Sequence, residues 1–175
     1  MFIESLFSLY YFKIMHYHAQ LIQTFYESFK KLDAEGMQKC YHSDVHFSDP
    51  VFPSLKGKEA SAMWAMLIEN LKKSNNPWRL EFSQIEANDE EGSGHWEAYY
   101  ILSATGRKVH NIIEAKFQFK DGLIIRHIDQ FDFYRWARLG FGVTGMLMGW
   151  TPFFRDKVQS KVKFQLEKYL SKSKL

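Results

Sequence analysis

Apolar positions recur at helical spacing over residues 18–32, where Leu21, Ile22, Phe25, Phe29 and Leu32 share one face. Asp33 stands where a cap is needed for a second, short helix over 34–41, which would bury Met37, Cys40 and Tyr41. Val45, Phe47 and Asp49 then alternate with His46 and Ser48 as far as Pro50, the pattern of a short strand ending in a turn. Gly57 precedes a third predicted helix, 58–71, with Met63, Met66, Leu67 and Leu71 inward. Beyond Asn75-Asn76-Pro77 the period drops to two and predicts strands at 79–86, 94–103, 108–120 and 123–133. Asp121-Gly122, between the last two, is a hairpin signal.

Three helices followed by four long antiparallel strands specify an α+β domain. Strands of this length bend, and a curved antiparallel sheet packed on three helices forms a cone with an interior. The inward set of the third long strand is Val109, Asn111, Ile113, Ala115, Phe117 and Phe119, with Asn111 its one polar member. One face of the fourth carries Ile125, His127, Asp129, Phe131 and Phe133. A carboxylate among aromatics is costly unless it is paired or used, so Asp49, His127 and Asp129 are the candidate catalytic residues. Desolvation in an apolar mouth would raise the pKa of Asp49 and make it a base at neutral pH. His127 and Asp129, two apart on a strand, project from one face and could relay a proton or hold a water. Plainer roles stay open: a turn-capping aspartate at Asp49, and a buried pair fixing strand register at His127 and Asp129. Trp64, Trp96 and Tyr100 suit a pocket wall or simple core.

Composition narrows the function classes. At 175 residues the chain fits one domain with an appendage, and a core of that size needs no metal or disulfide. A single cysteine, Cys40, excludes an internal disulfide and a cysteine-cluster zinc site, and it suits a reducing cytoplasm. Phosphate loops, nucleophile elbows and paired-histidine metal spacings are lacking, so no metal and no cofactor are expected. The net charge of +3 is local: seven Lys/Arg after Pro152 face only Asp156 and Glu167, so the body carries no nucleic-acid-binding charge.

The stretch from Leu32-Asp33-Ala34-Glu35-Gly36-Met37 to Phe47-Ser48-Asp49-Pro50-Val51 resembles the ketosteroid isomerase pattern of a helix, an Asp, a Gly and then Asp-Pro-Val. Asp121-Gly122-Leu123-Ile124 to Phe131-Asp132 is similar to the last hairpin of SnoaL-like domains. Residues 18–139 thus resemble the NTF2-like superfamily, which includes ketosteroid isomerases, SnoaL-like polyketide cyclases and limonene-epoxide hydrolases. The resemblance implies a small cofactor-independent isomerase, cyclase or hydrolase acting on an apolar organic molecule, with Asp49 as general base. A non-catalytic binding or protein-interaction module on the same fold is the alternative. The oxyanion-hole tyrosine of the isomerases falls on Phe25, beside Tyr26, and their protonated aspartate near Ala115, so both donors are replaced. His127 and Asp129 are expected on the far pocket wall in their stead. The late acid of the cyclases falls on Asp132, or on Asp129. A homodimer is expected by the same resemblance.

Residues 1–17 read as an apolar N-terminal extension and 140–175 as an addition beyond the domain. From residue 139 to 154 there is no charge, and Gly140, Gly142, Gly145 and Gly149 alternate with Met146, Leu147, Met148 and Trp150. Thr151-Pro152 opens a basic helix with Val158, Val162, Leu166 and Leu170 on one face. Packing on the cone or across a dimer, a lid over the pocket mouth, and peripheral membrane contact through 139–170 are the three readings of this end.

Overall fold

The computed structural model describes residues 16–74 and 76–172. Residues 1–15 of the expected N-terminal extension lie outside them. Helix α1 (Tyr17–Lys30) buries Ile22, Phe25, Tyr26 and Phe29, the i, i+3, i+4, i+7 stripe of a one-sided helix. Asp33 caps α2 (Ala34–Lys39) by accepting from Gly36 N at 3.0 Å. Strand β1 (Tyr41–Ser48) and the two-residue β2 (Leu55–Lys56) precede α3 (Lys58–Ser74). The four long strands are β3 (Arg79–Ala87), β4 (Glu91–Leu102), β5 (Arg107–Lys120) and β6 (Leu123–Gln130). Asp121 and Gly122 both take positive φ, 52° and 76°, as a two-residue hairpin turn of matching twist requires.

The sheet order is β2-β1-β6-β5-β4-β3. Its five pairings are antiparallel except one: β1 runs parallel to β6, with Phe47 opposite His127. The four long strands pair antiparallel as expected, and the sheet as a whole is mixed only where β6, after the intervening helix and hairpins, comes back parallel to β1. Helices α1 and α3 fill the concave face, and the core between helices and sheet is largely aromatic.

Two of the shifted boundaries bear on the site. Tyr41 begins β1 instead of ending α2, since the helix stops at Lys39 and the Cys40 carbonyl joins the sheet through Ile124 N. Strand β6 ends at Gln130, and Asp132 caps a new helix, α4 (Phe133–Phe141), by accepting from Arg135 N at 2.9 Å. Phe133 is thus a helix residue, not the last residue of a strand.

The C-terminal addition folds onto the domain. A short α5 (Val143–Met148) doubles back on α4, so closely that a Cβ at Gly145 would overlap the Ala137 carbonyl. Helix α6 (Pro152–Lys172) starts where Thr151 Oγ1 accepts from Phe154 N at 3.2 Å. It buries Phe154, Val158 and Leu166 and packs along α3. Gln159 Nε2 donates to the Pro50 carbonyl at 3.0 Å, fastening α6 to the turn after β1.

Candidate active site

The parallel pairing of β1 with β6 sets the site. Phe47 opposes His127, so two residues further along each chain come Asp49 and Asp129, both of inward parity. Both carboxyls face one cavity of about 410 Å³, enclosed mainly by aromatic and aliphatic side chains of β4, β5, α3 and α6. Trp64, Trp96, Tyr100, Asn111 and Phe131 line it as well. Its exposed rim comprises Asn70 and Ser74 from α3, Ser103 and Ala104 from the β4–β5 turn, and Lys157 and Lys161 from α6.

Asp49 divides its two oxygens between structure and cavity. Its Oδ1 accepts from Val51 N at 2.6 Å and from Phe52 N, while its own N–H donates to the Phe52 carbonyl at 2.9 Å. That is the turn-capping role, made with one oxygen only. Oδ2 has no hydrogen-bond partner among the described residues. Burial pushes the Asp49 carboxyl up to about 7. The Phe52 N–H opposes that rise, the negative field of Asp129 adds to it, and the Val51 N–H opposes it more weakly.

Asp129 is held from behind. Its Oδ1 accepts from Trp96 Nε1 at 3.2 Å and from His127 Nε2 at 3.0 Å. His127 Nδ1 meets Tyr41 Oη at 2.7 Å, and Trp64 Nε1 donates to that same hydroxyl at 2.9 Å. Indole N–H only donates, so Tyr41 accepts from Trp64 and turns its own proton to His127 Nδ1; the imidazole then donates through Nε2 to Asp129. The chain Trp64, Tyr41, His127, Asp129 satisfies every donor in a wall otherwise made of Phe25, Phe47 and Phe117 rings. His127 is wholly buried and does not reach the cavity. It positions Asp129; it does not touch a bound molecule.

Three other expected site residues lie elsewhere. Phe25 and Tyr26 are fully buried in the solid end of the cone, because the α1 face that carries them packs behind His127 and against β3 and β4. Tyr26 Oη lacks a partner there, and burial, reinforced by Asp129, raises its pKa well above the ordinary phenol value. Asp132 is exposed, its carboxylate committed to the α4 cap.

Two polar groups with unspent capacity do line the cavity. Tyr100 Oη accepts from Trp136 Nε1 at 2.8 Å and keeps its own proton, since burial pushes the phenol up to about 12. The Asn111 side chain is buried and makes no hydrogen bond within the described residues.

Sequence reasoning missed Tyr41, and it left a lid over the pocket mouth as one of three readings for the end that holds α6. Tyr41 shares the odd parity of Val45, Phe47 and Asp49, which was the available signal, but the outward residues between them mask the strand. Phe154, Val158 and Val162 wall the cavity; their spacing shows a covered face without showing what it covers. Among the described residues no group of three or more His, Cys, Asp or Glu could hold a metal ion, and no helix is long and apolar enough to cross a membrane.

Comparison with known proteins agrees with this architecture. An LEH-like epoxide hydrolase from M. tuberculosis superposes with a TM-score of 0.55 at 16% identity, covering 76% of this chain and 91% of that one. TerC, co-crystallised with polyporic acid, gives 0.58 at 17% identity, covering 71% and 98%. A putative polyketide cyclase from Xanthomonas campestris gives 0.54 at 20% identity, covering 69% and 93%. At these identities the likeness is one of fold. No curated protein matches by sequence. The SnoaL-like domain model matches residues 22–127, the stretch from α1 to the middle of β6, and the chain belongs to that family.

Proposed function

We propose that the protein is a cofactor-independent acid–base catalyst acting on a small apolar organic molecule, with Asp49 as the group that exchanges a proton. The observation that carries this reading is a carboxyl titrating at about 7, one oxygen unbonded, facing a cavity of about 410 Å³ whose walls are mostly apolar. Such a group is present in both forms at neutral pH, so it can take a proton and return it. In an isomerisation, a C–H bond next to a substrate carbonyl breaks as Asp49 Oδ2–H forms, and the electron pair moves to the carbonyl oxygen. The Tyr100 O–H and the Asn111 amide N–H line the same cavity and are the donors available to that oxygen, in place of the two donors lost at Phe25 and Ala115. The proton then returns to a different carbon. In an epoxide hydrolysis the same carboxylate takes a proton from an attacking water as its oxygen bonds to one ring carbon and that carbon's ring C–O bond breaks; the alkoxide so formed takes the proton back, giving the diol. Asp129 stays a fixed acceptor, held by Trp96 and His127. Fold neighbours that include an epoxide hydrolase and a putative polyketide cyclase are in keeping with either chemistry.

Deuterium uptake into a panel of apolar ketones, and diol formation from a panel of apolar epoxides, test the reading. Turnover of one class should rise with pH through about 7 and fall roughly 10²–10⁴-fold in Asp49→Asn. Undiminished turnover in that variant refutes Asp49 as the base. A carrier without turnover is the second reading, favoured by the withdrawal of His127 from the cavity. It is supported if an apolar fluorescent probe binds wild type and Asp49→Asn alike and neither panel reacts.

A further inference from the structure

Six large apolar side chains stand in solvent within one short stretch: Val143, Met146, Leu147, Met148, Trp150 and Phe153 are 68, 51, 63, 38, 69 and 60% exposed. They belong to α5, the turn after it and the first turn of α6. Polar contacts that use only the Trp150 indole among these six side chains fix this knuckle. Tyr134 Oη donates to the Met146 carbonyl at 3.0 Å, Trp150 Nε1 to the Leu147 carbonyl at 3.1 Å, and Thr151 Oγ1 to the Met148 carbonyl at 2.7 Å. Its inner side is glycine: Gly145 and Gly149 are buried against α4. None of the six belongs to the core or packs against it among the described residues, and a contiguous exposed patch of this kind marks a surface that something covers.

Charge says what covers it. From Phe133 to Arg155 the chain has no acidic residue. Arg138 lies over the Tyr134 ring at 4.9 Å, Arg155 over Phe133 at 4.8 Å and Lys157 over Phe153 at 5.5 Å. The Arg107 guanidinium lies against Gly142 and donates to the Leu139 carbonyl at 2.9 Å. Asp132 and Asp156 bracket the segment, the first spent on the α4 cap. A second copy docking by the same patch would set cations against cations, because a two-fold interface brings like surfaces together. Apolar side chains flanked along the chain by Arg138, Arg155 and Lys157 instead match acyl chains beneath anionic headgroups.

We propose that residues 143–153 form a docking knuckle for an anionic lipid surface, with Leu147, Trp150 and Phe153 entering the interface and Arg138 and Arg155 meeting the headgroups. The inference is independent of the catalytic reading of Asp49. Co-sedimentation of the full chain with vesicles tests it, using phosphatidylcholine alone and a two-to-one mixture with phosphatidylglycerol. The full chain should sediment with the mixed vesicles, more weakly at high salt, and little with the neutral ones. The Leu147→Ser/Trp150→Ser/Phe153→Ser variant, checked for folding by circular dichroism, should lose binding at least about tenfold. Arg138→Gln/Arg155→Gln should lose roughly fivefold for each cation removed. Three outcomes overturn the proposal: no sedimentation of the full chain, sedimentation unchanged by the triple substitution, or a vesicle-free dimer that the triple substitution dissociates.

Discussion

Replacing Asp49 by asparagine should stabilise the protein at neutral and alkaline pH and change little below about pH 4. The native carboxyl holds its proton up to about 7, whereas the unfolded one releases it near 3.8. Between those values the native state binds the extra proton, so wild-type stability is highest below the unfolded pKa and falls as pH rises through the folded one. That gap amounts to a ceiling of ~4 kcal/mol at 1.36 kcal/mol per pH unit. Asp49 is partly accessible through the cavity, and water there reduces the ceiling to about 2 kcal/mol. Asparagine is neutral throughout, and its Oδ1 can still accept from Val51 N and Phe52 N, so the turn is kept. Urea denaturation of both proteins across this pH range reads the effect as a widening advantage of the variant. A stability difference that stays flat with pH, or that shrinks as pH rises, would mean that Asp49 ionises at least as readily as in water. The argument for a base poised near neutrality would then fail.

Tyr41→Phe leaves Trp64 Nε1 and His127 Nδ1 without their partner in a buried wall, and should cost about 2–4 kcal/mol. Denaturation measures this, and a loss under 1 kcal/mol would show that Tyr41 does not join those two groups. Tyr26→Phe removes a buried hydroxyl that has no partner among the described residues, and should raise stability by about 1 kcal/mol. A loss of that size in calorimetry would point instead to an ordered water bound at Tyr26.

Strand parity carries the fold a long way. The inward sets read from alternation on β5 and β6 include Asn111, His127 and Asp129, and all three are buried. Parity reports a face, not a depth. His127 and Asp129 share a face, yet one row separates a side chain sealed among aromatic rings from one that reaches the cavity. The same limit applies to Phe25 and Tyr26, on the right side of α1 but at its solid end. Asp132 was misplaced because a strand and a helix cap use the same short polar residue, and only the hydrogen bond to Arg135 N distinguishes them. The parallel pairing that brings Asp49 beside Asp129 joins residues some eighty positions apart, which no local pattern records. The cavity's last wall comes from α6, whose apolar spacing would look the same against any partner.

The bond from Gln159 to Pro50 ties that last wall to the residue next to Asp49. The portion shared with the family, 22–127, builds a bowl; the cover is contributed by residues beyond it. About a third of the cavity wall, from Asp129 to Gln165, is therefore supplied by a segment on which the family match is silent. Trimming the chain to its recognisable domain would leave the acid in place but open the room around it.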